Sequence, residues 1–178
     1  MKKAALILAL AALLALPVFG QTPGVGNVSL GIGAEGGVPV GDFKNVSDFG
    51  VGGMGWIAFS VDPSVTLTGK VGYQSFSAKG GGSSLNVIPV LVGMQYSLMP
   101  ALEATSMRSY LGAEAGVYNL SAGGGGSSTK FGIAPALGAQ FSAGTGMKVD
   151  LHVNYTVVFS DPSNSSWVGF GAGLEFGM

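Results

Sequence analysis

Apolar and polar residues alternate along several stretches of the chain. From Lys148 to Phe159, one face carries Val149, Leu151, Val153, Tyr155, Val157 and Phe159, and the other carries Lys148, Asp150, His152, Asn154 and Thr156. A period of two is the mark of a β-strand with one apolar face. The final stretch repeats it: Val168, Phe170, Ala172, Leu174 and Phe176 oppose Gly169, Gly171, Gly173, Glu175 and Gly177. Val65, Leu67, Val71 and Tyr73 oppose Thr66, Thr68, Lys70, Gly72 and Gln74, and Leu111, Ala113, Ala115 and Val117 oppose Gly112, Glu114 and Gly116. Carried along the chain, the pattern predicts eight strands, over 27–40, 48–60, 65–77, 86–98, 108–120, 130–142, 147–160 and 166–177. Links rich in Gly, Ser, Asp and Asn (41–47, 78–84, 121–129, 161–165) alternate with three others (62–64, 100–107, 143–146). That arithmetic predicts an all-β fold, an eight-stranded antiparallel up-and-down barrel with both termini at the three-link end. No link exceeds nine residues.

Aromatic spacing adds a length scale. Phe49 and Phe59 share a face ten residues apart, and so do Phe131 and Phe141. Ten residues at ~3.3 Å each, tilted by ~40°, span roughly 25 Å, the height of the apolar band of a transmembrane barrel. With Tyr155 and Phe159, these residues read as two interfacial girdles. Composition agrees: 47% of residues are hydrophobic and 10% charged, with 32 glycines and no cysteine. Disorder and a disulfide scaffold are excluded. The best apolar run after the N-terminus, Val87 to Met94, is short and contains Pro89, so spanning requires a closed barrel. A soluble lipocalin-like barrel would place its charges outside, whereas here the polar phase carries Gly, Thr, Gln and isolated charges. Pro39, Pro89 and Pro135 fall inside predicted strands, where each removes a ladder hydrogen bond unless it sits at a bulge or rim. Val87 to Val92 is apolar on both faces and leaves the register of the fourth strand open. Trp56 falls on the lumen phase.

Residues 1–20 read as a cleaved secretory signal: Lys2 and Lys3, an apolar run from Ala4 to Leu16, Pro17, then Val18-Phe19-Gly20. The 13-residue run is shorter than the ~20 residues of a spanning helix. Residues 21–178 form the barrel domain and carry six basic and nine acidic side chains, a net charge of −3. Without a basic patch, nucleic acid is excluded as a partner.

The segments VIPVLVGMQYSL, SYLGAEAGVYNL, KFGIAPALGAQF and GFGAGLEFGM carry a resemblance. Over residues 21–178 the chain resembles the small eight-stranded bacterial outer-membrane β-barrels of the OmpX and OmpA-barrel type. The resemblance implies a monomer in the outer membrane with periplasmic termini. It implies contact with outer-membrane lipid and lipopolysaccharide, and with periplasmic chaperones and the insertion machinery during assembly. It also implies a C-terminal insertion signal, whose alternating phase falls on Phe170, Leu174 and Phe176; Met178 stands where that family ends in Phe. The family includes adhesion and envelope-integrity proteins, narrow pores and a few lipid-modifying enzymes.

Little catalytic chemistry is on offer. His152 is the one histidine, it lies on the lumen phase, and Asn154 replaces the serine of the His-x-Ser spacing that a barrel lipid deacylase would use. One histidine with scattered acids gives no metal site, and no cofactor is implied. Gly31-x-Gly33-x-x-Gly36 and Gly50-x-Gly52-x-x-Gly55 match the dinucleotide fingerprint without a following helical pattern. Lys70, Glu114 and His152, with Asp150, are expected at similar heights in the lumen, with Lys70 and Glu114 paired across the intervening strand. The expected function is a structural or surface-interaction role in the envelope without catalysis. A narrow passive pore for water, ions or small solutes is the alternative, and a lipid-modifying enzyme a distant third.

Overall fold

The computed structural model describes residues 26–98, 107–122, 126–161 and 163–178. The signal segment 1–20, most of the link 100–107 and part of the loop 121–129 lie outside the described residues. Eight antiparallel strands close into a barrel in sequence order. They are β1 (Val28–Val40), β2 (Ser47–Ser60), β3 (Val65–Ala78), β4 (Leu85–Ser97), β5 (Met107–Ala122), β6 (Ser127–Ser142), β7 (Met147–Val158) and β8 (Ser165–Gly177). Predicted boundaries fall within three residues of these. The largest difference is at β5 and β6, which run further out, so the predicted link 121–129 shrinks to 123–126. β1 pairs with β8 from Ser29↔Gly177 to Val40↔Ser166, which closes the sheet and leaves no free edge.

The two ends differ. The turn end carries the first described residues, the C-terminus and the link 61–64, where Val65 N–H donates to Asp62 O at 3.1 Å. The link 143–146 also lies there, with Gly146 at φ +72°, a value that favours glycine. The loop end carries a one-turn helix, α1 (Phe43–Val46), entered through Gly41 at φ +57°. It also carries a 3₁₀ turn at Lys79–Gly81. Lys79 joins the two loops, with Nζ 3.5 Å from Asp48 Oδ1 and donating to Lys44 O at 2.7 Å.

The prolines sit where the ladder is interrupted. β3 and β4 pair at Val71↔Val90 and next at Gln74↔Val87, so Pro89 occupies a gap. β6 and β7 skip from Ile133↔Val157 to Ala136↔Asn154 around Pro135. Pro39 lies beyond Gly37↔Gly50, the last β1–β2 pair at the rim. The ladder thus gives way where the missing N–H would leave an acceptor unpaired. The open register of the fourth strand resolves with Val87, Pro89 and Leu91 inward and Ile88, Val90 and Val92 outward.

The glycine excess has a packing cause. Large inward side chains lie across inward glycines of the neighbouring strand. Trp56 covers Gly31, Tyr110 covers Gly138, Tyr118 covers Gly132, Phe76 covers Gly50 and His152 covers Gly171. A narrow barrel has room for one large side chain across two adjacent strands, so its neighbour must be small. Gly31 pairs with Trp56 on one side and Glu175 on the other. A methyl group there would overlap the indole, whose Nε1 donates to Glu175 Oε2 at 3.1 Å. Gly31→Ala is therefore expected to displace Trp56 and destabilise the barrel by about 1–3 kcal/mol, the usual cost of overpacking. Urea unfolding of the refolded barrel measures this. Gly53→Ala is the control, because its nearest neighbour would be Gly33 O at 3.5 Å; equal midpoints for the two variants would show that the indole moves aside freely.

Candidate functional site: the lumen

The inward phase forms three layers. At the turn end, Glu175 is the centre. Its carboxylate accepts from Ser29 Oγ at 2.9 Å, Trp56 Nε1 at 3.1 Å and Gln140 Nε2 at 3.1 Å, and Lys148 Nζ lies 3.5 Å away. Arg108 bridges this layer, donating from Nη1 to Gln140 Oε1 and from Nη2 to Thr66 Oγ1, each at 3.1 Å. Below it an open vestibule of about 660 Å³ faces the turn end.

The middle layer holds the residues singled out from the sequence. Lys70 Nζ lies 2.7 Å from Glu114 Oε1, both nearly buried. They meet across β4 at Gly93, which pairs with Glu114 on one side and Thr68 on the other, and where any Cβ would touch the Glu114 side chain. His152 is not part of that pair. Its Nδ1 lies 2.8 Å from Asp150 Oδ1, and Tyr110 Oη donates to Asp150 Oδ2 at 3.0 Å. Asp150 and His152 are two apart on one strand face, so their contact is local; Tyr110 reaches them across Gly138. Further along, Asn154 Nδ2 donates to Glu35 Oε1 at 2.6 Å, and Asn154 Oδ1 accepts from Thr156 Oγ1 at 3.2 Å.

The layer at the loop end departs from expectation. The polar phase predicts Gly, Thr, Gln and isolated charges inside, yet here the lumen is aromatic and aliphatic. Phe76, Val87, Leu91, Tyr118, Val158 and Trp167 fill the lumen, and Phe43 of α1 closes it from above. The Trp167 ring lies 5.3 Å from Phe76, 5.9 Å from Tyr118 and 6.0 Å from Phe43, centroid to centroid. Edge and tilted contacts at these distances are favourable aromatic geometry. Val158 and Phe76 merely continue the polar phases of their strands. Phe43 sits in a loop and carries no periodic signal.

The outward phase is apolar along the middle of the strands and turns polar toward the loop end, where Asn86 accepts from Tyr73 and Ser75 and Asn119 donates to Thr129. Phe49, Phe131, Tyr155 and Phe159 face outward in the loop-end half, and Phe59 and Phe141 at the turn end. Phe131 stacks on Phe159 at 6.2 Å and Phe49 on Phe170 at 5.8 Å. Phe170, Leu174 and Phe176 face outward too, as do Tyr73 and Tyr96. Trp56 is in the lumen, as its phase predicts.

No family model and no curated protein sequence matches the chain. Solved structures do. Neisserial surface protein A is 14% identical, with 84% of this chain and 96% of that one covered and a TM-score of 0.68. Ail, the attachment invasion locus protein of Yersinia pestis, is 17% identical over 85% of this chain and 98% of its own, with a TM-score of 0.57. The outer membrane protein OprG of Pseudomonas aeruginosa is 11% identical over 85% and 95%, with a TM-score of 0.60. Closed topology, a lipid-compatible outside and these likenesses together give the chain the fold of the small eight-stranded outer-membrane β-barrels.

Proposed function

We propose that the protein is a closed integral barrel of the bacterial outer membrane, exported with its signal removed and its termini in the periplasm. It serves the envelope as a structural or surface-interaction element rather than as a pore. One observation carries this reading: the lumen is filled from end to end of its loop-side half. The aromatic layer crosses the whole section, and the two cavities between it and Glu175 measure about 20 and about 10 Å³, room for about one water each. The outward aromatics at two levels support membrane insertion with Phe49, Phe131 and Phe159 at one interface and Phe59 and Phe141 at the other. The outward phase of Phe170, Leu174 and Phe176 suits recognition by the insertion machinery. His152 is buried and engaged by Asp150, out of reach of a lipid ester at the outer surface, which supports a non-catalytic role.

Planar-bilayer recording of refolded protein tests this. The expected result is no discrete conductance steps, in the parent and in Lys70→Gln alike. Steps in the parent that change in Lys70→Gln would establish the pore, with the ion pair as its gate.

A further inference from the structure

The lumen holds buried polar atoms that no protein group satisfies. Among the described residues, Trp167 Nε1, Tyr118 Oη, His152 Nε2 and Gln95 Oε1 are buried without a hydrogen-bond partner. Leaving such a group unpaired is costly, and small polar cavities are where proteins hold water. The four atoms divide between the two cavities described above. Trp167 and Tyr118 line the larger, beside Glu35, Glu114 and Lys70. Gln95 and His152 line the smaller, again beside Lys70.

We propose that each cavity is a binding site for one ordered water, and that the two waters flank the Lys70–Glu114 ion pair. The donor and acceptor inventory matches in both. In the larger cavity the orphans are donors, the indole N–H and the phenol O–H. A water accepts from them and donates to the carboxylates of the lining. In the smaller cavity the orphans are Gln95 Oε1, an acceptor, and His152 Nε2, whose ring is held to Asp150 through Nδ1. A water donates to Gln95 Oε1, hydrogen-bonds His152 Nε2 and accepts from Lys70, whose ammonium has three protons and spends one on Glu114. Each cavity has the volume of about one water. Lys70 lines both, so the waters supply the solvation that a charged pair loses in a closed lumen. Both sites stand whether or not the barrel conducts.

Water-to-protein NOE spectra of the refolded, isotope-labelled barrel test this. Trp167 lines the larger cavity and its Nε1 has no protein partner. The expected result is a water cross-peak at the Trp167 indole proton, weakened in Tyr118→Phe, which removes the water's second donor. The His152 Nε2 resonance should carry the shift of a hydrogen-bonded nitrogen. No cross-peak at Trp167 overturns the upper site, and a peak unchanged in Tyr118→Phe overturns Tyr118 as its partner. An Nε2 shift typical of an unbonded nitrogen overturns the lower site.

Discussion

Glu114→Ala is expected to destabilise the folded barrel by about 3–5 kcal/mol, the range for breaking one side of a buried ion pair. The cause is the partner left behind. Lys70 sits 2.7 Å from the lost carboxylate, with 11% of its side chain exposed, inside a lumen capped by aromatic rings. Its ammonium then has no carboxylate in ion-pair contact and no bulk water. Replacing both partners with apolar residues, Lys70→Met with Glu114→Leu, removes the charge altogether and should recover most of the loss, because the pair's own desolvation cost disappears with it. Glu114→Gln belongs in between, since it keeps an acceptor for Lys70. Urea unfolding followed by heat-dependent gel mobility reads all three. If Glu114→Ala matches the parent in midpoint and slope, the pair contributes nothing and the charge is solvated from one end.

The ion pair shows how far the sequence reaches. Period two assigns faces in every strand but the fourth, and counting from strand starts puts Lys70 and Glu114 at compatible heights. The same counting put His152 at that height; it lines one small cavity with Lys70, while its direct contact is with Asp150. Height around a barrel depends on the stagger between successive strands, and nothing in one strand's composition states it. Glu175 shows the same limit. It stood on the polar phase among glycines, but its contact with Trp56 crosses β1, and only the register that puts Gly31 between them reveals it. Strand ends were legible because glycine and serine cluster in the loops. The aromatic layer was only half legible: Phe76 and Trp167 follow from phase, while Phe43 enters from a loop by a tertiary contact. A proline announces a ladder defect by its missing N–H, but where the ladder yields is a property of pairing.

Trp167→Ala should cost a similar amount, about 3–5 kcal/mol, through lost burial and the cavity it leaves. Trp167 is 1% exposed and is the common partner of Phe43, Phe76 and Tyr118. Strand backbones fixed in a closed ladder relax little into the gap, which keeps the cost near the upper end. Because Phe43 packs on the same ring, Phe43→Ala in the Trp167→Ala background should cost less than in the parent; residues sharing a cavity are not additive. Conductance separates a filler from a gate. Phe76, Val87, Leu91 and Tyr118 project from the walls independently of Trp167, so the variant is expected to unfold earlier yet remain silent in a planar bilayer. Channel openings in Trp167→Ala at unchanged stability would instead make the aromatic layer a removable stopper, and the barrel a pore held shut by it.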